Sequence, residues 1–331
     1  MTKGWWAIVL VVVLMGCSLF QDGGTNPRSS SSQSPQPQAS VPVVQTPQLV
    51  APSNPPTVNQ EQLVAHLQAL AGERYTKADR DRTRTYLANT LKDNGWAVTV
   101  EAFQSGANVV ARPPGKPVAN GTVLVVAHFD TVAGSPGVDD NATGVAVALE
   151  VSRLLRTRTS NYDLAIALFD REEQGLLGSL AFTAKPANLK HLIGVINLEM
   201  LGYTCRTPGC QTYPEGLPIQ PPSDRGDFLG IVGDQEHNYL LQAFQLARTE
   251  NLPPIVTIPI PFKGVLTPDV LRSDHAPFWA RNIGAVMVSD TANFRNPNYH
   301  QPSDTLDTID LTFLTQATQL VVNATLVLLG G

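Results

Sequence analysis

Residues Gly121–Asp130 read GTVLVVAHFD. Val123 to Ala127 form an unbroken apolar run, and that pattern predicts a strand covered on both faces rather than one with a wet side. The run ends at His128 and Asp130, one nitrogen and one oxygen donor. Two more segments repeat the arrangement. YDLAIALFD (Tyr162–Asp170) is followed by Glu172 and Glu173, and HLIGVINLEM (His191–Met200) carries Glu199 at its end. Helical patterns lie between them: NATGVAVALEVSRLLRT (Asn141–Thr157) and the shorter SLAFTAK (Ser179–Lys185). Buried strands alternating with helices predict an α/β fold, a three-layer sandwich with a mostly parallel central sheet flanked by helices.

Outward from this centre, Gln60–Gly72 and Lys77–Gly95 read as helices closed by glycine. WAVTVEAF and NVVARPPG read as short strands, as do DFLGIVGD and IGAVMVSD further on. EHNYLLQAFQLART, APFWARN and the closing DLTFLTQATQLVVNATLVLLG read as helices. Residues 57–331 are expected to form one catalytic domain. Ahead of it, the first 17 residues resemble a lipoprotein-type signal. Lys3 precedes an apolar core from Trp5, which ends in Leu14-Met15-Gly16-Cys17. That resemblance implies cleavage before Cys17, a lipid on its sulfur, and an exported chain tethered to a bacterial cell-envelope membrane. Residues 18–56 are rich in Ser, Pro and Gln with few large apolar side chains. Such a segment is expected to be a disordered tether, because it cannot bury enough surface to offset chain entropy.

Apolar residues make up 43% of the 331, enough for a sizeable core. The net charge of −5 and the absence of a basic run argue against nucleic acid as a partner. Besides Cys17 there are two cysteines, Cys205 and Cys210. An exported context favours a disulfide between them. The alternative is a metal pair, although no further Cys or close His completes four ligands.

In open α/β sheets, sites gather beyond the carboxyl ends of the strands. The residues there are His128 and Asp130; Asp139 and Asp140 in PGVDDNATG; Asp170, Glu172 and Glu173; Glu199; Ser289 and Asp290; and, in nearby loops, Asp274, His275, Tyr299 and His300. Each taken singly has a structural explanation, such as acids favoured at a helix N-terminus for Asp139 and Asp140. Jointly, two histidines and several carboxylates at the ends of one sheet suit zinc or a similar divalent ion. Adjacent glutamates at a buried strand end are costly unless a cation or a reaction needs them. Two ions about 3.5–4 Å apart require a shared carboxylate, and a further carboxylate free of metal to take a proton from water. Asp130, two residues past His128, is placed to orient that histidine.

The pieces AHFDTV, SPGVDDNATGVA, FDREEQGLLGS, INLEMLGY, SDHAPFW and NYHQPSDTLDTID resemble, in order, those of the co-catalytic dizinc aminopeptidases of the bacterial leucyl-aminopeptidase type. Glutaminyl cyclases and the glutamate carboxypeptidases are relatives of that group. The resemblance implies a zinc-exopeptidase fold, a peptide substrate and two Zn2+ ions. It implies that His128, Asp140, Glu173, Glu199 and His300 bind metal, with Asp140 as the bridge. Glu172 would be the general base, Asp130 would orient His128, Tyr299 would polarise the substrate carbonyl, and Asp274 would support the site from behind. Glu199 stands where many relatives carry Asp, a change of reach but not of charge. A cyclase-like acyl transfer, which needs only the ligands matching Asp140, Glu173 and His300, is the rival activity; a metal-binding module without catalysis is the other.

Overall fold

A computed structural model describes residues 47–115, 120–158 and 160–330. The expected signal segment, Cys17 and most of the expected tether lie outside the described residues. Eight strands form one sheet: β1 (Ala97–Phe103), β2 (Gly106–Arg112), β3 (Thr122–His128), β4 (Asp163–Phe169), β5 (Leu192–Glu199), β6 (Leu229–Asp234), β7 (Ile255–Ile260) and β8 (Ala285–Ser289). Their order across the sheet is β1-β2-β4-β3-β5-β8-β6-β7. The four central strands, β4-β3-β5-β8, are mutually parallel. Antiparallel pairings occur at the flanks, where β1 meets β2, β2 meets β4, and β8 meets β6. The edge pair β6 and β7 is parallel again, so the sheet is mixed, with parallel pairing at its centre and at one edge.

The helices are α1 (Gln60–Leu70), α2 (Lys77–Asp93), α3 (Gly144–Leu155), α4 (Leu177–Thr183), α5 (Pro186–Leu189), α6 (Tyr239–Ala247), α7 (Ala276–Trp279) and α8 (Leu311–Leu329). Alternate residues of each central strand serve two separate cores. Val123, Val125 and Ala127 of β3, with Leu164, Ile166 and Leu168 of β4, join α1, α2, α3, α6 and α8 on one face. Leu124, Val126, Ala165, Ala167 and Phe169 join Phe182 of α4 and Phe278 and Trp279 of α7 on the other. This two-sided burial is why these strands read as continuous apolar runs. Helix α8 is long and apolar enough to cross a membrane, but most of it is buried in the first core.

Two features were not foreseen in the sequence. Pro47 is buried and Leu49 packs against the first core, Arg158 Nη2 donates to Asn54 O at 2.8 Å, and Gln319 Nε2 donates to Pro56 O at 3.0 Å. A few residues ahead of position 57 therefore touch the domain, within a stretch that is otherwise irregular and largely exposed. One leucine and a few bonded carbonyls in a polar background give no periodic signal. Strand β7 was also missed, since Pro259 interrupts its pattern. An edge strand tolerates that proline because only one of its sides is paired.

Candidate active site

The site lies at the carboxyl ends of the parallel strands. His128 is the last residue of β3, Glu199 the last of β5, and Glu172 and Glu173 lie in the turn after β4. Asp140 belongs to the distorted turn Val138–Thr143 that opens α3, and its peptide bond to Asn141 is cis. Asn141 fastens this turn to β5: its Nδ2 donates to Leu198 O at 2.8 Å, and its Oδ1 accepts from Gly144 N and Met200 N, each at 3.1 Å. A Cβ on Gly144 would come within 2.3 Å of that Oδ1, so the turn requires glycine there. Positive φ angles at Met200 (50°) and His300 (60°) place strained backbone beside or at the candidate ligands. Such conformations persist only where the surroundings over-determine them.

Asp140 sits between the two histidines. Its Oδ1 is 3.3 Å from His128 Nε2 and its Oδ2 is 3.2 Å from His300 Nε2. Each histidine has a carboxylate of its own: His128 Nε2 is 3.3 Å from Glu199 Oε1, and His300 Nε2 is 3.1 Å from Glu173 Oε2. Glu172 stands further back, 4.0 Å from His128 Nε2. The sequence reading had put these six residues at one place, and the fold brings all six together.

Surrounding groups hold them. Asp130 Oδ1 faces His128 Nδ1 across 3.5 Å and accepts from the backbone N–H of Glu172 at 2.9 Å; its Oδ2 accepts from that of Glu173 at 3.3 Å. Asp130 therefore positions both glutamates as well as the histidine. Tyr299 stacks on His300, with ring centroids 3.7 Å apart, and its hydroxyl accepts from Arg272 Nη2 at 3.0 Å. Asp274 is fully buried, and burial pushes its carboxyl up to about 7. Asp139 lies behind Asp140, accepting from Gly202 N and Asn296 Nδ2, and is paired with Asp290. Three further candidates are not among the closest ligand contacts. Asp170 is an internal anchor, bound to Arg80 and Arg84 of α2 at 2.8 Å each. His275 bonds Val270 O and packs edge-on against Trp279, with burial holding its pKa down at about 4. Ser289 lines the cleft but also accepts from Thr291 N.

Sequence reasoning missed three supports. Asp304 accepts from the N–H groups of Asp139 (2.8 Å) and Asp140 (3.0 Å), so one carboxylate fixes the turn that carries the shared ligand. It stands four residues past His300 in a quoted motif, where it could have been read. Ser273 donates to Glu199 Oε2 and accepts from Asn197 Nδ2. Arg74 is buried, and its guanidinium donates to the carbonyls of Phe129, Leu70, Gly72, Pro136 and Gly137. A lone arginine after a helix carries no local signal for that role.

The electrostatics ask for a cation. Burial raises Glu172 well above the usual carboxylate range, with Glu199, Asp274 and Glu173 adding to the effect and His128 opposing it. Burial and the Asp140 charge push Glu173 up to about 7. Burial works against a charge on His300, yet the neighbouring Asp140 and Glu173 carboxylates carry it up to about 9. Glu173 Oε1 and His300 Nε2 are buried without a hydrogen-bond partner. The N/O donor set, the crowded carboxylates and these unpartnered atoms fit divalent ions of the zinc type.

The site opens on a cleft of about 410 Å³. Asp140, Glu172, Glu173, Glu199 and Tyr299 line one side. Tyr213, Leu217 and Phe228 from the stretch after β5, with Ile258, Val270 and Met287, form an apolar wall. Cys205 and Cys210 are joined as a disulfide in that stretch. The stretch between β5 and β6, which carries this disulfide, thus forms part of the cleft.

An α/β sheet parallel at its centre, with two His–carboxylate sets at the carboxyl ends of its strands, is an arrangement suited to divalent metal. The chain belongs to peptidase family M28, whose family model matches residues 108–325. It is 31% identical to the uncharacterized protein YfbL of Escherichia coli, over 62% of this chain and 66% of that protein. It is 28% identical to the aminopeptidase YwaD of Bacillus subtilis, over 70% and 49% respectively. A probable lipoprotein aminopeptidase of Mycobacterium tuberculosis, LpqL, is 28% identical over 62% of this chain and 42% of its own. The chain thus spans between two fifths and two thirds of these relatives. Among solved structures, the Legionella pneumophila LapA aminopeptidase has the same fold, with a TM-score of 0.66 at 19% identity over 83% of this chain and 73% of that one. BSAP, a zinc aminopeptidase from Bacillus subtilis, gives 0.51 at 25% identity over 66% and 49%.

Proposed function

We propose that the chain is an aminopeptidase that holds two divalent cations, zinc in the native protein, and releases N-terminal residues from peptides. The observation that carries this reading is the placement of Asp140, one oxygen toward each histidine, while Glu199 and Glu173 each serve one end. His128 and Glu199 would hold one ion, His300 and Glu173 the other, and Asp140 both. When bound, such ions polarise a scissile carbonyl and lower the pKa of a water.

Glu172 is the proton carrier in this reading. It sits outside the closest ligand contacts, and its raised proton affinity suits a group that accepts a proton from water. As the new C–O bond forms, Glu172 takes the water's proton; as the C–N bond breaks, it delivers that proton to the leaving amine. Tyr299 is the donor toward the carbonyl oxygen. Its hydroxyl already accepts from Arg272, so its own proton is free to point into the cleft. Asp130 keeps His128 and both glutamates in register. The apolar wall would receive the side chain of the N-terminal residue.

The export signal and lipid anchor read at Cys17 would tether this activity to a bacterial envelope membrane; the name of the mycobacterial relative supports that reading. A panel of peptides tests the activity. Free N-terminal residues should be released one at a time, N-acetylated copies should stay intact, and an N-terminal glutamine should be released rather than cyclised. Equal cleavage of acetylated peptides, or cyclisation of the glutamine, would contradict the reading.

A further inference from the structure

We propose that Arg295 is a positioning residue that sets the preference of the cleft for large apolar N-terminal side chains; this rests on the aminopeptidase reading above. Arg295 is only 5% exposed, and the bonds of its guanidinium run to one segment. Nε donates to Gln211 Oε1 at 2.8 Å, Nη2 to Phe228 O at 2.9 Å, and Nη1 to Tyr203 O at 3.3 Å. The guanidinium also lies over the Phe228 ring, 4.8 Å from its centroid. Phe228 in turn stacks on Tyr213, with centroids 6.4 Å apart and planes 5° from parallel. Both rings line the cleft.

One side chain therefore joins two parts of the site. Its own backbone belongs to the loop that leads to Tyr299 and His300, and its guanidinium holds the apolar wall. Other bonds also tie the wall to that loop, among them Thr212 Oγ1 to Phe294 O at 3.0 Å and Tyr203 N to Asp290 Oδ2 at 2.8 Å, but none of them reaches Phe228. Thr212 N donates to Phe294 O at 2.8 Å, and Gln211 Nε2 donates to Thr291 Oγ1 at 2.9 Å. Gly226 shows how closely the guanidinium is fitted: a Cβ there would come within 2.2 Å of Arg295 Nε. Gly226 also pairs with Cys205, so the disulfide-bearing base of the wall and the arginine meet at one residue. A planar, five-donor guanidinium can bond three acceptors and stack on a ring together, which an ammonium cannot do.

The test compares kcat and KM for leucine and alanine N-terminal substrates in the wild type, Arg295→Met, Arg295→Lys and Gln211→Ala, with bound metal measured in each. Wild type should favour leucine. Arg295→Met should cut the leucine-to-alanine ratio of kcat/KM by about tenfold or more, on the scale that one or two methylenes of pocket contact supply. The loss should fall on KM for leucine, with kcat for alanine nearly unchanged and metal content equal to that of wild type. Arg295→Lys should recover part of the ratio. Should Arg295→Met fail to fold, Gln211→Ala, which removes one of the bonds, decides by the same ratio. A folded, metal-loaded variant with an unchanged ratio overturns the inference. A wild type that releases no N-terminal residue at all overturns the aminopeptidase reading instead.

Discussion

A Glu172→Gln variant should keep its metal and lose about 10²–10⁴-fold in kcat, the usual share of a positioned acid–base group. Glutamine matches the shape of glutamate, and the contact from Asp130 goes to the backbone N–H of residue 172, so the substitution leaves that support intact. What it removes is the ability to accept a proton in a buried place beside His128, Glu199 and Asp274. KM should change little, because the lost interaction forms only in the transition state. Steady-state kinetics with metal analysis on the same sample checks this. Turnover within a few-fold of wild type would remove Glu172 from the mechanism.

Asp140→Ala should have the largest effect on metal. No other carboxylate faces both His128 and His300 among the described residues, and its loss leaves each end with one histidine and one glutamate. Metal content should fall to one ion or fewer per chain, and activity below detection. Glu199→Ala offers the contrast, since it strips only the His128 end and should cost one ion while His300, Glu173 and Asp140 retain theirs. The Asp304 bonds to the backbone of residues 139 and 140 survive in Asp140→Ala, so the turn should stay in place. Unchanged two-ion content in either variant would break the assignment. Glu172→Gln, by comparison, should lose rate without losing metal, which separates the proton carrier from the ligands by task.

How much of this was readable in the sequence depended on what kind of signal each part leaves. The central strands are covered on both faces, so β3, β4 and β5 appear as plain apolar runs, and the ligand residues follow them directly. Glu172 and Glu173 announce themselves because adjacent buried acids need a cause. The supports lie beyond such reasoning. Arg74 acts through five carbonyls from three stretches of chain, and Arg295 through contacts with residues 67 to 92 positions away. Neither set of partners has a local pattern. Asp170 misled for the opposite reason: it follows an apolar strand as the ligands do, yet its neighbours in space are Arg80 and Arg84. Only the path of α2 over the sheet edge distinguishes it.

The central claim is that two divalent ions at one shared carboxylate carry an N-terminal exopeptidase activity. Titrating zinc into chelator-treated protein, while measuring bound zinc and release of an N-terminal leucine together, tests it most directly. The account predicts no activity in the stripped protein, full activity regained with zinc, and saturation at two ions per chain. Full activity after stripping, or a saturated protein that binds two ions and releases nothing, would contradict it.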